Sequence, residues 1–386
     1  MFEPKIRINI FKDSLWELKT IVNFVLEIGT GKSEYIINDY SIKNSFPILG
    51  STSIIGFDNS FDYSGDFILT ARVGANAGEI YKYSGEAKIT DNTVYIKSNC
   101  LDYLYYSLLH YNLKRLSFGT GQPLIKTSEL KKIKMFFPSP LEQSAIGALF
   151  RTLDDLLASY KDNLANYQSL KATMLSKMFP KAGQTVPEIR LDGFEGEWKL
   201  YELKSRAETI TKGTTPKDRN WQGEVNYIKT ESINRDTGSL IRTASTSLEE
   251  HLGYLKRSKL KEGDVLFSIV GTLGVVGIVD KKDLPANTNQ QIAIIRLKRD
   301  NAIFMLNFLK SSRIKSFIKS DSTIGAQPSL SLWQIEKIKV SLPPSLQEQQ
   351  AIGAYFSNLD NLINSYQDKI TQLETLKKKL LQDMFI

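Results

Sequence analysis

The chain has 386 residues, a formal charge of +8, 41% hydrophobic and 24% charged residues. That is globular composition in a chain longer than one core usually supports, which excludes wholesale disorder and collagen-like or coiled-coil-only readings and predicts two or more domains. One cysteine, Cys100, and two histidines, His110 and His251, exclude a disulfide framework and a multi-cysteine zinc site, and leave almost no material for a histidine base or a two-histidine metal centre.

The Met1 end lacks a signal-peptide pattern. The longest apolar run, residues 265–279, carries Ser268, Thr272 and three glycines and falls short of the roughly 20 residues that span a bilayer. The expectation is a cytoplasmic protein, free of the membrane, whose sequence pI of 9.1 suits a polyanionic partner.

In chain order, Pro4-Lys5-Ile6-Arg7 with Trp16 and Leu18 opens the first module. Residues 29–33, Gly-Thr-Gly-Lys-Ser, imitate the end of a phosphate loop. Leu26 occupies the position of that motif's first glycine, and β-branched and aromatic residues follow Ser33 where a helix is needed, so nucleotide binding is not expected. Residues 67–73 and 93–97 read as strands and 101–116 as a helix. A long helix follows over 142–179. The second module opens with Pro187-Glu188-Ile189-Arg190, Trp198 and Leu200, continues through strands at 264–270 and 292–297 and a helix at 303–319, and leaves by a second long helix over 348–385. The glycines at 271, 274 and 277 read as turns or close backbone contacts.

The chain is one module written twice. Residues 142–179 and 348–385, at a constant offset of 206, share 18 of 38 positions. Flanking stretches match as well, whereas residues 21–117 and 202–319 share only faint features: similar frames carry dissimilar inserts.

The long helices carry apolar stripes at spacings of 3 and 4, running through Phe150, Leu153, Leu157, Tyr160, Leu164, Leu170 and Met174 in one and Phe356, Leu359, Ile363, Tyr366, Ile370, Leu373 and Leu376 in the other. Each begins Ser-x-x-Glu, Ser139 with Glu142 and Ser345 with Glu348, the pattern of a capping box. A 38-residue helix is a rod of about 57 Å with a stripe that must be covered. Antiparallel pairing within the chain is the economical solution, placing the modules at opposite rod ends; pairing with another chain's helices is the alternative.

The expected fold class is thus α+β: two mixed, β-rich domains, residues 1–140 and 187–345, separated by two long helices, 141–186 and 346–386, paired as an antiparallel coiled coil with pseudo-twofold symmetry. These four segments carry net charges of +2, +6, +1 and −1 in that order, so the excess lies in the modules. No catalytic constellation is present.

Polar loops supply candidate DNA contacts. Lys212, Thr214, Thr215, Lys217 and Arg219 offer donors to phosphate, and Asn287, Asn289, Gln290 and Gln291 carry amides suited to adenine edges. Ser51, Thr52, Ser53, Arg72, Asn76, Asn92 and Gln122 fill comparable places in the first module, and Gln327 matches Gln122 in the second.

These residues resemble a known family, the specificity (S) subunits of type I restriction-modification systems. The resemblance rests on residues 187–198 (Pro-Glu-Ile-Arg-Leu-Asp-Gly-Phe-Glu-Gly-Glu-Trp), the Lys-Gly-Thr-Thr-Pro loop at 212–216, Gly-x-Gln-Pro at 325–328 before the exit strand, Pro-Ser-Leu-Gln-Glu-Gln-Gln-Ala-Ile-Gly at 344–353, and the Leu-Leu-Gln-Asp-Met-Phe ending at 380–385. The first module departs, its opening lacking the Asp-Gly-Phe-Glu-Gly run and its Gly-Thr loop the proline. It implies two target recognition domains, each reading half of a bipartite, asymmetric sequence in double-stranded DNA. It also implies helices that dock two methyltransferase subunits, which bind S-adenosylmethionine and methylate adenine, and restriction subunits that translocate DNA using ATP and magnesium. The chain itself would hold no cofactor and catalyse nothing. A self-contained nuclease or methyltransferase and a bivalent protein scaffold are the alternatives.

Overall fold

The computed structural model describes residues 4–11, 15–116, 123–323 and 328–386. The chain forms two compact units, Met1–Lys161 with Asp368–Ile386, and Asp162–Gln367.

Unit 1 contains β1 (Glu17–Thr20), β2 (Glu27–Thr30), β3 (Phe46–Leu49), β4 (Ile54–Asp58), β5 (Tyr63–Ala71), β6 (Ile80–Ile89), β7 (Thr93–Lys97), α1 (Leu101–Tyr111), α2 (Thr127–Lys131), β8 (Lys134–Phe137) and the first part of α3 (Pro140–Lys177). Six strands form one sheet in the order β2-β7-β5-β6-β3-β4, and β1 pairs β8 separately. Residues 67–71 of β5 are buried without alternation because both faces of the sheet are covered there. Phe67 and Leu69 meet Ala87, Ile89 and Tyr95 on one side, while Ile68 joins Val94, Ile96 and α1 on the other. The expected 101–116 helix stops early, where Asn112 takes a left-handed φ of 60° and donates its N–H to the Leu108 carbonyl. The glycines of the phosphate-loop look-alike serve packing: a Cβ on Gly29 would lie 2.4 Å from the Tyr95 hydroxyl oxygen, and one on Gly31 2.1 Å from the Ile89 carbonyl oxygen.

Unit 2 contains the rest of α3, then β9 (Lys199–Glu202), α4 (Leu203–Arg206), β10 (Ala207–Lys212), β11 (Val225–Ile228), β12 (Ser245–Thr246), α5 (Leu248–Leu252), β13 (Val265–Ser268), β14 (Val276–Ile278), β15 (Ala286–Thr288), β16 (Ile292–Leu297), α6 (Ala302–Lys310), α7 (Ser312–Asp321), α8 (Leu332–Lys337), β17 (Lys339–Leu342) and most of α9 (Leu346–Asp383). Its sheets run β10-β16-β13-β14 and β12-β11-β15, with β17 paired to β9. The single helix expected over 303–319 is two, because buried Ser311 is extended (ψ 162°) between α6 and α7. Gly271 and Gly274 have φ of 76° and 74° in the turn between β13 and β14, a conformation that favours glycine.

Each unit holds one end of α3 and one of α9, and in each the two helices run antiparallel. In unit 1 Phe150 packs against Phe385 and Lys161 pairs with Glu374; in unit 2 Tyr167 meets Tyr366 and Phe179 stacks on Phe356. Residue numbers rise along one helix as they fall along the other. Phe150, Leu153, Leu157, Phe356, Leu359, Ile363 and Ile370 are buried; Tyr160, Leu164 and Tyr366 are half-buried. Leu170 and Leu376, expected in the stripes, are exposed (37% and 45%). The adjoining lysines turn inward instead: Lys171 pairs with Asp360 in unit 2, and Lys377 with Asp154 in unit 1. Burial lifts Asp360 above the ordinary carboxylate range, with Lys171 opposing the shift.

Both long helices start as expected, with Ser139 and Ser345 hydroxyls accepting the Glu142 and Glu348 N–H groups at 3.4 and 3.2 Å. The carboxylates do something else. Arg190 donates from Nε and Nη2 to the two oxygens of Glu348, each at 2.8 Å, and Trp198 Nε1 adds a third bond at 3.2 Å. In unit 1 Arg7 and Trp16 hold Glu142 in the same way, at 2.8, 2.8 and 3.3 Å. The same opening segment reaches a helix end: Ile6 N–H donates to Asp383 O of α9, and Ile189 N–H to Lys177 O of α3.

The Glu348 side chain is 1% and that of Arg190 14% exposed, so removing one partner leaves an uncompensated buried charge. Glu348→Gln is expected to cost about 3–5 kcal/mol, read as a lowered denaturation midpoint at unchanged slope. Phe356 is fully buried, and Phe356→Ala should cost a similar 3–5 kcal/mol through the cavity it leaves, measured in the same titration.

Candidate nucleic-acid interface

In unit 2 the structure gathers Lys212, Thr214, Thr215, Lys217, Arg219 and Gln290 around one hollow of about 380 Å³, together with Tyr254 and Arg257. The loop leaves β10 and folds back over β15. Gly213 permits this, since a Cβ there would lie 2.0 Å from the Thr288 carbonyl oxygen. Thr214 N–H donates to that same carbonyl at 2.8 Å, and the Tyr227 hydroxyl donates to Thr214 O at 2.9 Å from below. Burial raises the Tyr227 phenol well above its ordinary value, so it remains a donor.

The outer half of the loop is held by Glu250, whose carboxylate accepts the Lys217 and Asp218 N–H groups at 3.0 and 2.9 Å. The Lys217 ammonium stands 4.9 Å from the centre of the Tyr254 ring. Lys212, Lys217, Arg219 and Arg257 line the hollow, and no carboxylate does so among the described residues. Thr215 donates to Gln290 Oε1, which leaves the Gln290 amide N–H groups without a partner among the described residues. The arrangement can take an anion on its cations and present one amide to an acceptor edge.

The other amides are less free. Asn289 Nδ2 donates to Gln291 Oε1 at 3.2 Å while Asn289 Oδ1 accepts the Gln291 N–H at 3.0 Å, so each holds the other. Asn287 is fully buried; its side chain bonds His251 Nδ1, the Leu255 carbonyl and the Ser258 hydroxyl, which removes it from the candidate contacts. Tyr254 and Arg257 were not singled out from sequence, although their aromatic and basic alternation with Lys256 was a usable signal.

In unit 1 three expected residues meet at one atom: the Asn92 carbonyl accepts the Arg72 N–H at 3.0 Å and the Ser51 hydroxyl at 3.2 Å. Thr52 and Ser53 are exposed in the β3–β4 turn, and Asn76 is exposed in the β5–β6 connection that begins at Arg72. Arg72 Nε is buried without a partner among the described residues. Gln122 and Gln327 lie outside the described residues. The prolines that follow them are held alike, Pro123 O accepting from Gly74 N–H at 3.0 Å and Pro328 O from Gly271 N–H at 2.9 Å.

Among the described residues no group of three or more His, Cys, Asp or Glu could hold a metal ion, and no helix is long and apolar enough to cross a membrane. His110 stacks on Phe385 with ring centres 5.8 Å apart, and buried His251 is bonded to the Asn287 side chain.

Comparison with known proteins supplies the family. The model of the type I restriction modification DNA specificity domain matches residues 17–166 and 195–375. The MjaVIII type I restriction enzyme specificity subunit of Methanocaldococcus jannaschii is 25% identical over 393 residues, covering 95% of this chain and 91% of the relative. The crystal structure of an S subunit of a type I restriction-modification system from M. genitalium aligns with a TM-score of 0.65 at 18% identity, over 100% of this chain and 99% of that one. A second solved chain, from work on complex assembly and conformational transition of the type I R-M system, aligns with a TM-score of 0.53 at 16% identity, over 97% and 98%. Two copies of the specificity domain, each carrying its own candidate DNA surface, identify this chain as a member of the type I restriction-modification specificity subunit family, the non-catalytic component that recognises DNA sequence.

Proposed function

We propose that this chain reads a bipartite, asymmetric site in double-stranded DNA, residues 1–140 taking one half-site and residues 187–345 the other. The carrying observation is that one repeated frame supports two chemically different loop sets. The hollow at Lys212–Arg219 is lined by four cations, whereas the first-module residues are hydroxyls, amides and one arginine, of which the Ser51 hydroxyl and the Arg72 backbone N–H meet at the Asn92 carbonyl. In the first, Lys217, Arg219 and Arg257 hold phosphates while Gln290 addresses a base edge; in the second, Ser51, Thr52, Ser53, Asn76 and Asn92 supply polar contacts with Arg72 at their base. Gln122 and Gln327 complete the two sets.

In the same reading the long helices, within 141–186 and 346–386, dock two methyltransferase subunits, and restriction subunits join that complex. S-adenosylmethionine is then held by the methyltransferase subunits and ATP with magnesium by the restriction subunits. The small net charge of residues 1–140, +2, fits a complex in which partners supply much of the phosphate contact.

The deciding experiment assembles the chain with its methyltransferase subunits and maps methylated adenines in DNA of random sequence. One split motif is expected, and replacing residues 202–319 by the corresponding insert of another family member should change one half of it alone; an unchanged motif would refute the reading. Lys217→Ala with Arg219→Ala should weaken binding evenly across sequences and lower the salt slope by about 2, measured by titration at several salt concentrations. Gln290→Ala should instead relax discrimination at one base pair, by about 1–3 kcal/mol, read from competition among single-substituted duplexes.

A further inference from the structure

A second cluster of positive charge in unit 2 lies apart from the loop hollow. Lys171 of α3, Lys310 at the end of α6, Lys315 of α7, and Arg235 line a cavity of about 450 Å³. Lys171 is 6% exposed, and its ammonium donates to Asp360 Oδ1 and to the Asp236 carbonyl. The Lys310 ammonium donates to that same carbonyl at 3.0 Å. One oxygen shared by two ammonium groups holds their nitrogens within about 6 Å of each other. Arg235, Lys310 and Lys315 form no ion pair among the described residues.

Unit 1 provides an internal control. Its cavity of about 850 Å³ is lined by Asp154, Lys161, Glu374, Lys377, Lys378 and His110, among others. The inter-helix pair is the same, Lys377 with Asp154, but Lys161 is neutralised by Glu374 at 2.7 Å. In unit 2 the 206-residue offset puts Gln168 in the place of Glu374 and Gln367 in the place of Lys161, so that pair is absent, and Ala172 stands in the place of Lys378. The Lys–Asp pair of the frame is shared; the surplus cations, Arg235, Lys310 and Lys315, come from the second module's own insert.

We infer that this cavity of unit 2 binds a phosphate oxyanion, held by Lys171, Lys310, Arg235 and Lys315. Four cations against the carboxylates of Asp236 and Asp360 leave an excess of two, the charge of a phosphate dianion. A tetrahedral group with several acceptor oxygens suits three ammonium groups and one guanidinium fork arriving from different elements. Burial first, and then the neighbouring Lys171 charge, pull the Lys310 ammonium down to about 8; a bound anion opposes both effects. The groups facing Lys310 are Lys171, Asp236 and Asp360, with Arg235 and Lys315 at the rim, so affinity for phosphate should fall as pH rises through that value and Lys310 loses its proton. The phosphate is either that of a DNA backbone or a free one.

The test uses the full-length chain and inorganic phosphate, with the melting temperature compared in phosphate and in chloride at equal ionic strength. Wild type should melt higher in phosphate at pH 7, and Lys310→Met should abolish the shift; the pH dependence is read against Lys310→Met at each pH, because inorganic phosphate itself gains a charge between pH 7 and pH 9. The double variant Arg235→Ala with Lys315→Ala, both exposed positions, should weaken phosphate at least tenfold without disturbing the fold, which keeps the test valid if Lys310→Met fails to fold. A short duplex of arbitrary sequence that suppresses the phosphate shift and binds less tightly to the double variant identifies the DNA backbone as the source. A shift that persists with duplex present identifies free phosphate. Equal shifts in wild type and the double variant, or none in wild type, overturn the site.

Discussion

A carboxylate buried at the first turn of each long helix is the constraint on which both units are built. Taken from water without partners, such a charge costs several kcal/mol. Here each is met by a bidentate arginine and an indole N–H, Arg7 and Trp16 at Glu142, Arg190 and Trp198 at Glu348. The arginine lies more than 130 residues away in sequence in both cases, so the clamp closes only when the opening segment of a module has found the helix that ends it. The same segment donates to the last turn of the other long helix, Ile6 to Asp383 and Ile189 to Lys177. One short stretch thus fixes the start of one helix and the end of the other, and its residues recur in both modules.

The second constraint is polar. A coiled-coil stripe that continued through Leu170 and Leu376 would have been wholly apolar; a Lys–Asp pair interrupts it in each unit. Such pairs contribute less stability than well-packed apolar residues of similar volume, but they penalise any register in which one member is left alone. Leucines facing leucines tolerate a slip of one heptad; a buried lysine does not. In unit 1 the pair is further anchored from the module side, the Tyr106 hydroxyl donating to Asp154 at 2.6 Å, and in unit 2 by the Asp236 carbonyl. The helix register is thereby tied to the body of each module.

The frame was legible in sequence because it is written twice. The offset of 206, the Ser-x-x-Glu starts and the 3–4 spacing located α3 and α9, and the β-branched runs located β5, β7, β13 and β16. What spacing could not reveal is which of two adjacent residues turns inward, since Leu170 and Lys171 differ by only 100° around the helix and the partner of Lys171 is Asp360, far along the chain. The same limit applies to the loops. Asn287, Asn289 and Gln291 have the composition of base-reading residues, yet one is a buried bond to His251 and two bind each other; amide chemistry is identical whether the acceptor is a base or a neighbour. Lys212 to Arg219 came out together because they are contiguous, whereas Tyr254 and Arg257 reach the same hollow through a fold-dependent contact.

Charge distribution links these levels. The frame helices are nearly neutral, so they can serve any insert, and the inserts differ in sign balance as well as in shape. In unit 2 the excess is divided between an exposed loop hollow and a half-buried cavity at the helix pair, and the two are built differently. At the hollow the cations are exposed, carried on a backbone tied down by Glu250 and Gly213, which leaves their side chains free to follow a phosphate chain. At the cavity Lys171 and Lys310 are desolvated and fixed on helices, where a charge loses its hydration and gains correspondingly more from an anion. Exposed cations on a fixed loop suit a ligand approached along its length, while desolvated cations on helices select for compact charge. One excess of charge, read from composition as a single property, is thereby divided between two environments of different exposure.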